Sequence, residues 1–274
     1  MPRLDFSVLL SVYWKENPDW LRLSLKSIWE DQSLKPAEIV LVKDGRPLTD
    51  RLEAVISQFK QSAPLKIVPL SQNQGLGRAL NEGLKFCSFD LVARMDTDDI
   101  SKPDRFEKQI RFISQHPDIS VVGSWVDEFI DTPDHVVSER KLPSTPDELY
   151  RFGQTRNPMN HPTVLFRKKK VLEVGGYEHF PLFEDYWLWC RMLQHGCKLG
   201  NIPQSLLWFR TSPDVYKRRG GWRYAMTELK FQRELFRLGY IGLPRMILND
   251  ISRFVVRIMP NYLRRILYNK LARK

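Results

Sequence analysis

Several features that would assign a function quickly are missing. The chain holds only three cysteines in 274 residues, Cys87, Cys190 and Cys197. Their odd number and their positions inside regular apolar segments argue against a disulfide framework and point to buried thiols. A metal centre on Cys190, His195 and Cys197 would lack a fourth ligand and a usual zinc spacing. No window approaches the length of a spanning helix, and Met1 to Phe6 carries no hydrophobic leader, so cytoplasmic residence is expected. The turn after the first apolar stretch reads Ser11, Val12, Tyr13, Trp14, without the glycines of a dinucleotide-binding fingerprint. A Walker-type phosphate loop is also missing, which lowers kinase and ATPase readings.

Charge is present but unevenly placed. Residues 1–212 carry 28 Lys plus Arg against 28 Asp plus Glu, whereas residues 213–274 carry 15 against 4, so the whole net charge of +11 lies in the tail. A neutral body, 1–212, and a basic extension, 213–274, imply a catalytic or binding core joined to something that meets an anionic surface. From 245 onward Ile247, Leu248, Ile251, Phe254, Val255, Ile258, Tyr262, Leu263, Ile266 and Leu267 track one helical face, broken by Pro260. Arg253, Arg257, Arg264, Arg265 and Lys270 take the opposite face. A basic amphipathic helix either lies in a membrane interface or packs its stripe on its own core, and the basic excess favours the membrane.

Hydrophobic periodicity organises the body. Phe6 to Val12, Ile39 to Val42, Leu65 to Leu70 and Leu91 to Met95 read as strands, separated by helical stripes such as Leu21, Leu25, Ile28 and Leu76, Leu80, Leu84. Strands alternating with helices predict an α/β fold with a mostly parallel sheet and right-handed crossovers. A further helix passes through Phe106 and Ile110, and a strand follows from Ser120 to Trp125. Residues 131–163, rich in Pro, Asp, Ser and Asn, read as a long substrate-facing loop. Order resumes with a strand at Val164 to Arg167 and a helix at Glu184 to Leu193.

The most informative stretch is LVARMDTDDISKPDRF, residues 91–106. It delivers Asp96, Asp98 and Asp99 just beyond the carboxyl end of a buried strand, where open α/β sheets bind ligands. Clustered carboxylates there suit a hard, oxygen-seeking cation such as Mg2+ or Mn2+. An Asp-x-Asp spacing is weak by itself, and a solvated turn would account for it equally well. Asp44 follows another strand of the same sheet, so the acidic groups would converge on one rim.

Taken in order, FSVLLSVY, EIVLVKDG, NQGLGRALNEG, ARMDTDDIS, PDRFEKQ, NHPTVLFRKK, VGGY and FEDYWLWCRM resemble glycosyltransferase family 2, whose members have the GT-A nucleotide-sugar fold. The resemblance spans about 6–210. It implies that Ser11 and Tyr13 flank the nucleotide, Asp44 contacts the base, and Asn73 and Arg78 line the same pocket. It implies further that Asp96 faces ribose or donor sugar and that Asp98 is the direct ligand of Mn2+ or Mg2+ bridging the diphosphate. Lys43 stands where many relatives have a second acidic residue, and UDP remains the expected nucleotide. Asp185 would be the general base of an inverting transfer, with Glu184, His161 and Trp187 on the acceptor side. A helix N-terminus would depress the pKa of Asp185, and apolar Phe183 and Trp187 are needed to raise it again. Trp189 reads as core, and Lys217, Arg218, Arg219, Trp222 and Arg223 form a basic aromatic cluster of the kind some polymerising relatives direct at the diphosphate.

The expected activity is transfer of a hexose or N-acetylhexosamine from a UDP-sugar to a lipid-linked or envelope glycan, such as a lipopolysaccharide, capsule or exopolysaccharide precursor. The enzyme would sit peripherally on the inner face of the cell membrane, with no nucleic acid as partner. Two other readings stand beside it. A sugar-nucleotide nucleotidyltransferase would carry a Gly-rich, basic signature near the first strand, which Val8 to Trp14 does not supply. A non-enzymatic module binding an anionic polymer through the tail would leave the aspartates merely structural.

Overall fold

The computed structural model describes residues 4–212 and 221–258. The anticipated alternation forms the first half of the fold: β1 (Phe6–Val12), α1 (Pro18–Trp29), β2 (Glu38–Lys43), α2 (Asp50–Lys60), β3 (Leu65–Pro69), α3 (Leu76–Phe86) and β4 (Leu91–Arg94). These four strands pair in parallel in the order β3-β2-β1-β4. All four therefore end on one rim, which puts residues 13–17, 44–49, 70–75 and 95–99 side by side.

The second half of the sheet is mixed. Its elements are β5 (Ile100–Ser101), α4 (Arg105–Gln115), β6 (Ile119–Phe129), β7 (Val136–Arg140), α5 (Pro146–Gly153), β8 (Leu165–Arg167), α6 (Lys168–Glu173), α7 (Glu184–Gln194) and β9 (Lys198–Arg210). Strand β8 runs antiparallel to both β4 and β6, whereas β6 and β9 are parallel. The long loop expected over 131–163 is corrected here. It contains β7, α5 and a 3-10 turn at His161–Thr163. A capping box at Thr145 and Glu148, with Pro146 in the first turn, starts α5 despite the polar composition.

Two apolar layers flank the sheet because successive strand residues point to opposite faces. Val8 and Leu10 join Leu21, Leu25, Leu52, Ile56 and Phe106 on one side. Leu9, Val40 and Val42 join Leu80, Leu84 and the residues of α7 on the other. Helix α7 is apolar nearly all round, and Tyr186, Leu188, Trp189, Cys190 and Met192 are buried. Cys87 and Cys190 are buried free thiols, as expected, and Cys197 is half-buried.

Two helices follow, α8 (Trp222–Arg237) and α9 (Leu243–Ile258). Helix α8 shares the core of the body. Phe231 is fully buried, its ring centroid 4.8 Å from that of Phe183 and 4.7 Å from that of Tyr186. The apolar stripe of α9 is not packed inward. Leu243, Ile247, Leu248, Ile251 and Val255 are 47–61% exposed, whereas Phe254 of the stripe is half-buried with its ring 5.6 Å from that of Trp222. The stripe residues beyond 257, the boundary at 213, and Lys217, Arg218 and Arg219 lie outside the described side chains. Replacing Phe231 by Ala should cost about 3–5 kcal/mol, because the aromatic cage around it cannot collapse into the void. Urea denaturation of the full chain checks that value.

Candidate active site

The rim begins at β1 and β2. Ser11 is half-buried at the end of β1, and Tyr13 is exposed just beyond it. Asp44 is only 3% exposed. Its carboxylate accepts hydrogen bonds from the Gln74 N–H at 2.8 Å, the Gly75 N–H at 3.1 Å and Asn73 Nδ2 at 3.0 Å. Gly45, at φ +94, lets this contact form, because a Cβ there would lie 2.2 Å from the Asn73 nitrogen. The geometry thus uses Asp44 to fold the 73–75 loop onto the rim, ahead of Arg78, which is exposed on the first turn of α3. Lys43 bonds Glu53 at 2.5 Å.

Beyond β4 the carboxylates of Asp96, Asp98 and Asp99 lie within 4.8 Å of one another. Their backbone is pinned on several sides. Ser24 Oγ donates to the Asp96 carbonyl at 2.7 Å, Arg105 Nη2 to the Arg94 carbonyl at 2.7 Å, and Arg210 Nε to the Asp98 carbonyl at 2.9 Å. Asp99 is buried; one of its oxygens accepts the Arg210 N–H at 2.8 Å, and the other has no partner among the described residues. Burial, then the charge of Asp96, pushes Asp98 up to about 6. Burial, then the charges of Asp96 and Asp98, holds Asp99 well above the ordinary carboxylate range. Crowded all-oxygen donors with one unsatisfied buried oxygen fit a hard divalent cation, Mg2+ or Mn2+.

Two neighbours of this cluster escaped the sequence reading. Glu16 bonds Thr97, and burial together with the charge of Asp98 lifts it to about 7. Arg94 is 1% exposed and forms an ion pair with Asp96. Burial opposes its charge, and Asp96 more than compensates, so its pKa is raised. The available signals were an arginine inside an otherwise apolar strand and an acid in the first β-to-α turn.

The other wall of the crevice comes from the start of α7. Asp185 is pushed up by burial, and a 2.6 Å hydrogen bond from Asn157 Nδ2 and the charge of Arg94 pull it only partly back. Burial therefore outweighs the hydrogen bonds and the charge that favour the ionised form. Burial also raises Glu184, whose side chain packs against Gly77 of α3. His161 is half-buried and Trp187 buried at 9% exposure. The His161 ring bonds the Tyr177 hydroxyl at 2.9 Å, and burial drives its pKa well down, so it is neutral. The Trp187 indole donates to Glu178 at 2.7 Å, and its ring packs on Phe180. Trp189 is core, as expected.

Known proteins resemble this chain in sequence and in fold. The sequence profile of the family described as "Glycosyl transferase family 2" matches residues 7–176. The chain is 39% identical over 269 residues to an Escherichia coli UDP-Gal:alpha-D-GlcNAc-diphosphoundecaprenol beta-1,3-galactosyltransferase, covering 98% of this chain and 97% of that protein. It is 42% identical to the amylovoran biosynthesis glycosyltransferase AmsE of Erwinia amylovora, covering 97% of this chain and 98% of that one. Among solved structures, S. aureus TarS 1–349 in complex with UDP-GlcNAc superposes with a TM-score of 0.70 at 17% identity, over 98% of this chain and 76% of TarS 1–349. The mannosyltransferase PcManGT from Pyrobaculum calidifontis, in complex with GDP-Man and Mn2+, gives 0.65 at 14% identity, over 92% and 70%.

The raised carboxylates set a pH signature for cation binding. Protons compete for Asp98 below its value of about 6, so Mn2+ should stabilise the protein more at pH 7.5 than at pH 5. Thermal unfolding with and without Mn2+ measures this. The shift should vanish in Asp98→Ala, and an unchanged shift would place the cation elsewhere.

Proposed function

The chain belongs to glycosyl transferase family 2, and from that premise we propose an inverting transfer of a hexose or N-acetylhexosamine from a UDP-sugar to a lipid-linked or envelope glycan acceptor. That it is a glycosyltransferase with the GT-A fold follows from its relatives and their structures. The reading of mechanism rests on one observation. Arg94 joins the two walls of the crevice, pairing with Asp96 on one side and acting on Asp185 on the other.

In this reading Ser11, Tyr13, Asp44, Asn73 and Arg78 hold the nucleotide, with Asp44 at the base and also fixing the 73–75 loop. Asp96 faces ribose or donor sugar. Asp98 would hold Mn2+ or Mg2+, which when bound supplies positive charge beside the diphosphate. Asp185 removes the acceptor hydroxyl's proton as its oxygen attacks the anomeric carbon, and the bond to UDP breaks on the opposite face, which inverts the centre. Glu184, His161 and Trp187 lie on the acceptor side. The carboxyl must be ionised to act, so turnover should fall at acid pH along the raised titration of Asp185.

The relatives support the choice of substrates. The Escherichia coli protein is named for UDP-Gal and an undecaprenol-linked GlcNAc, and the Erwinia protein for amylovoran biosynthesis. A UDP-sugar donor and a polyprenol-linked acceptor are therefore the first pair to try. Such an acceptor lies at a membrane, and the outward apolar face of α9 together with the basic extension supports peripheral docking there, on the cytoplasmic face. Among the described residues no helix is long and apolar enough to cross a membrane.

Asp185→Asn should lower kcat by about 100-fold or more while UDP still stabilises the protein, read by radiolabel transfer from UDP-galactose and by thermal shift. Retained turnover would reject Asp185 as base. Separately, Leu248→Ser/Ile251→Ser should lose flotation with vesicles containing anionic phosphatidylglycerol. Flotation equal to that of the parent chain would remove α9 from the docking surface.

A further inference from the structure

Helix α9 is inverted: its polar residues are the ones turned inward. Asn249 is buried and donates from Nδ2 both to Gln232 Oε1 at 2.8 Å and to the Gln154 carbonyl at 2.9 Å. Arg253 bridges the buried Glu228 carboxylate and the Thr155 carbonyl. Arg257 Nε completes the cluster by donating to Glu228 at 2.7 Å. Two carbonyls just beyond the end of α5 are thus held by side chains from near the other end of the chain.

That segment leads directly to the candidate base. The Gly153 carbonyl is held by the Tyr186 hydroxyl at 2.8 Å, and the Pro158 carbonyl by Asn201 at 3.2 Å. Between these fixed points stands Asn157, whose Nδ2 donates to Asp185 at 2.6 Å. A chain leaving a helix without partners for its last carbonyls relaxes toward water. Asn249 and Arg253 supply those partners and so fix where Asn157 can reach.

We propose that Arg253 and Asn249 are positioning residues for the transfer, acting through residues 154–157 to hold Asn157 on Asp185. Their partners include the Gln154 and Thr155 carbonyls, Gln232 and Glu228. The inference rests on Asp185 being the general base, and the basic extension becomes part of the catalytic machinery as well as a docking element.

The test uses the full chain with UDP-galactose and an alkyl-linked GlcNAc diphosphate as acceptor. Arg253→Ala and Asn249→Ala, each shown folded by circular dichroism, should lower kcat by about 10- to 100-fold, with donor KM and UDP-induced stabilisation unchanged. Arg253→Lys should recover part of the loss. The groups facing Asp185 are Asn157, Arg94, Tyr177, Glu184 and Cys190. Both variants act on the Asn157 bond through residues 154–157; Arg253 also bonds Tyr186, so Asn249→Ala is the cleaner readout of the two. Because the Asn157 bond lowers the Asp185 carboxyl, the acid limb of kcat should move to higher pH. Amide hydrogen exchange across 153–158 should also quicken, a readout that needs no substrate.

Unchanged kcat with an unmoved acid limb in both folded variants overturns the inference. So does a parallel loss of UDP stabilisation, which would mark general loosening. Asp185→Asn is run alongside: if it keeps full turnover, the base assignment fails and the inference with it. If it is inactive while Arg253→Ala is fully active, the inference alone fails.

Discussion

A guanidinium with almost no exposure organises the crevice. Arg94 stands at the end of β4 and pairs with Asp96, and its charge also reaches Asp99 and Asp185. Without it, the acidic groups from three segments would repel one another in a medium that screens poorly. Removing one partner of such a buried pair leaves an uncompensated charge and costs about 3–5 kcal/mol. Two of its nitrogens, Nε and Nη1, have no hydrogen-bond partner among the described residues. Arg105 is held beneath it by the Arg94 carbonyl and Gln109, and burial followed by the charge of Arg94 pushes Arg105 down to about 9.

Around this charge the two acidic walls are tuned for different tasks. One wall crowds Asp96, Asp98, Asp99 and Glu16, whose charges raise one another's carboxyls. The other wall buries Asp185, and burial is the largest cause of its raised pKa. Carboxyl groups placed in contrasting environments are how one fold separates such roles. The backbone beneath the first wall is fixed by hydrogen bonds from α1, α4 and β9.

The basic extension is tied to the same site. Helix α8 locks Phe231 into the aromatic cage behind α7, and α9 sends Asn249 and Arg253 to the chain beside Asp185. Its apolar residues are left facing outward, which is unfavourable in water and suits a lipid surface. One helix therefore presents different chemistry to its two sides.

Much of this was legible in the sequence, because period-2 and period-3.6 patterns record burial directly. The four parallel strands, the helix at Glu184 and the Asp-x-Asp turn follow from such local patterns and from the order of the motifs. The expected loop over 131–163 did not, since β7 and α5 there are specified by pairing with β6 and by a capping box rather than by apolar periodicity. Nor could spacing show that the Asp44 carboxylate bonds Gln74 and Gly75, or that His161 bonds Tyr177 and Trp187 bonds Glu178. The sequence determined by itself which strands and helices form and which carboxylates stand at their ends. Only the tertiary structure decided that Arg94 links the two walls, that Asn157 holds Asp185, and that α9 turns its polar side inward, because contacts between residues far apart in the chain leave no period in it.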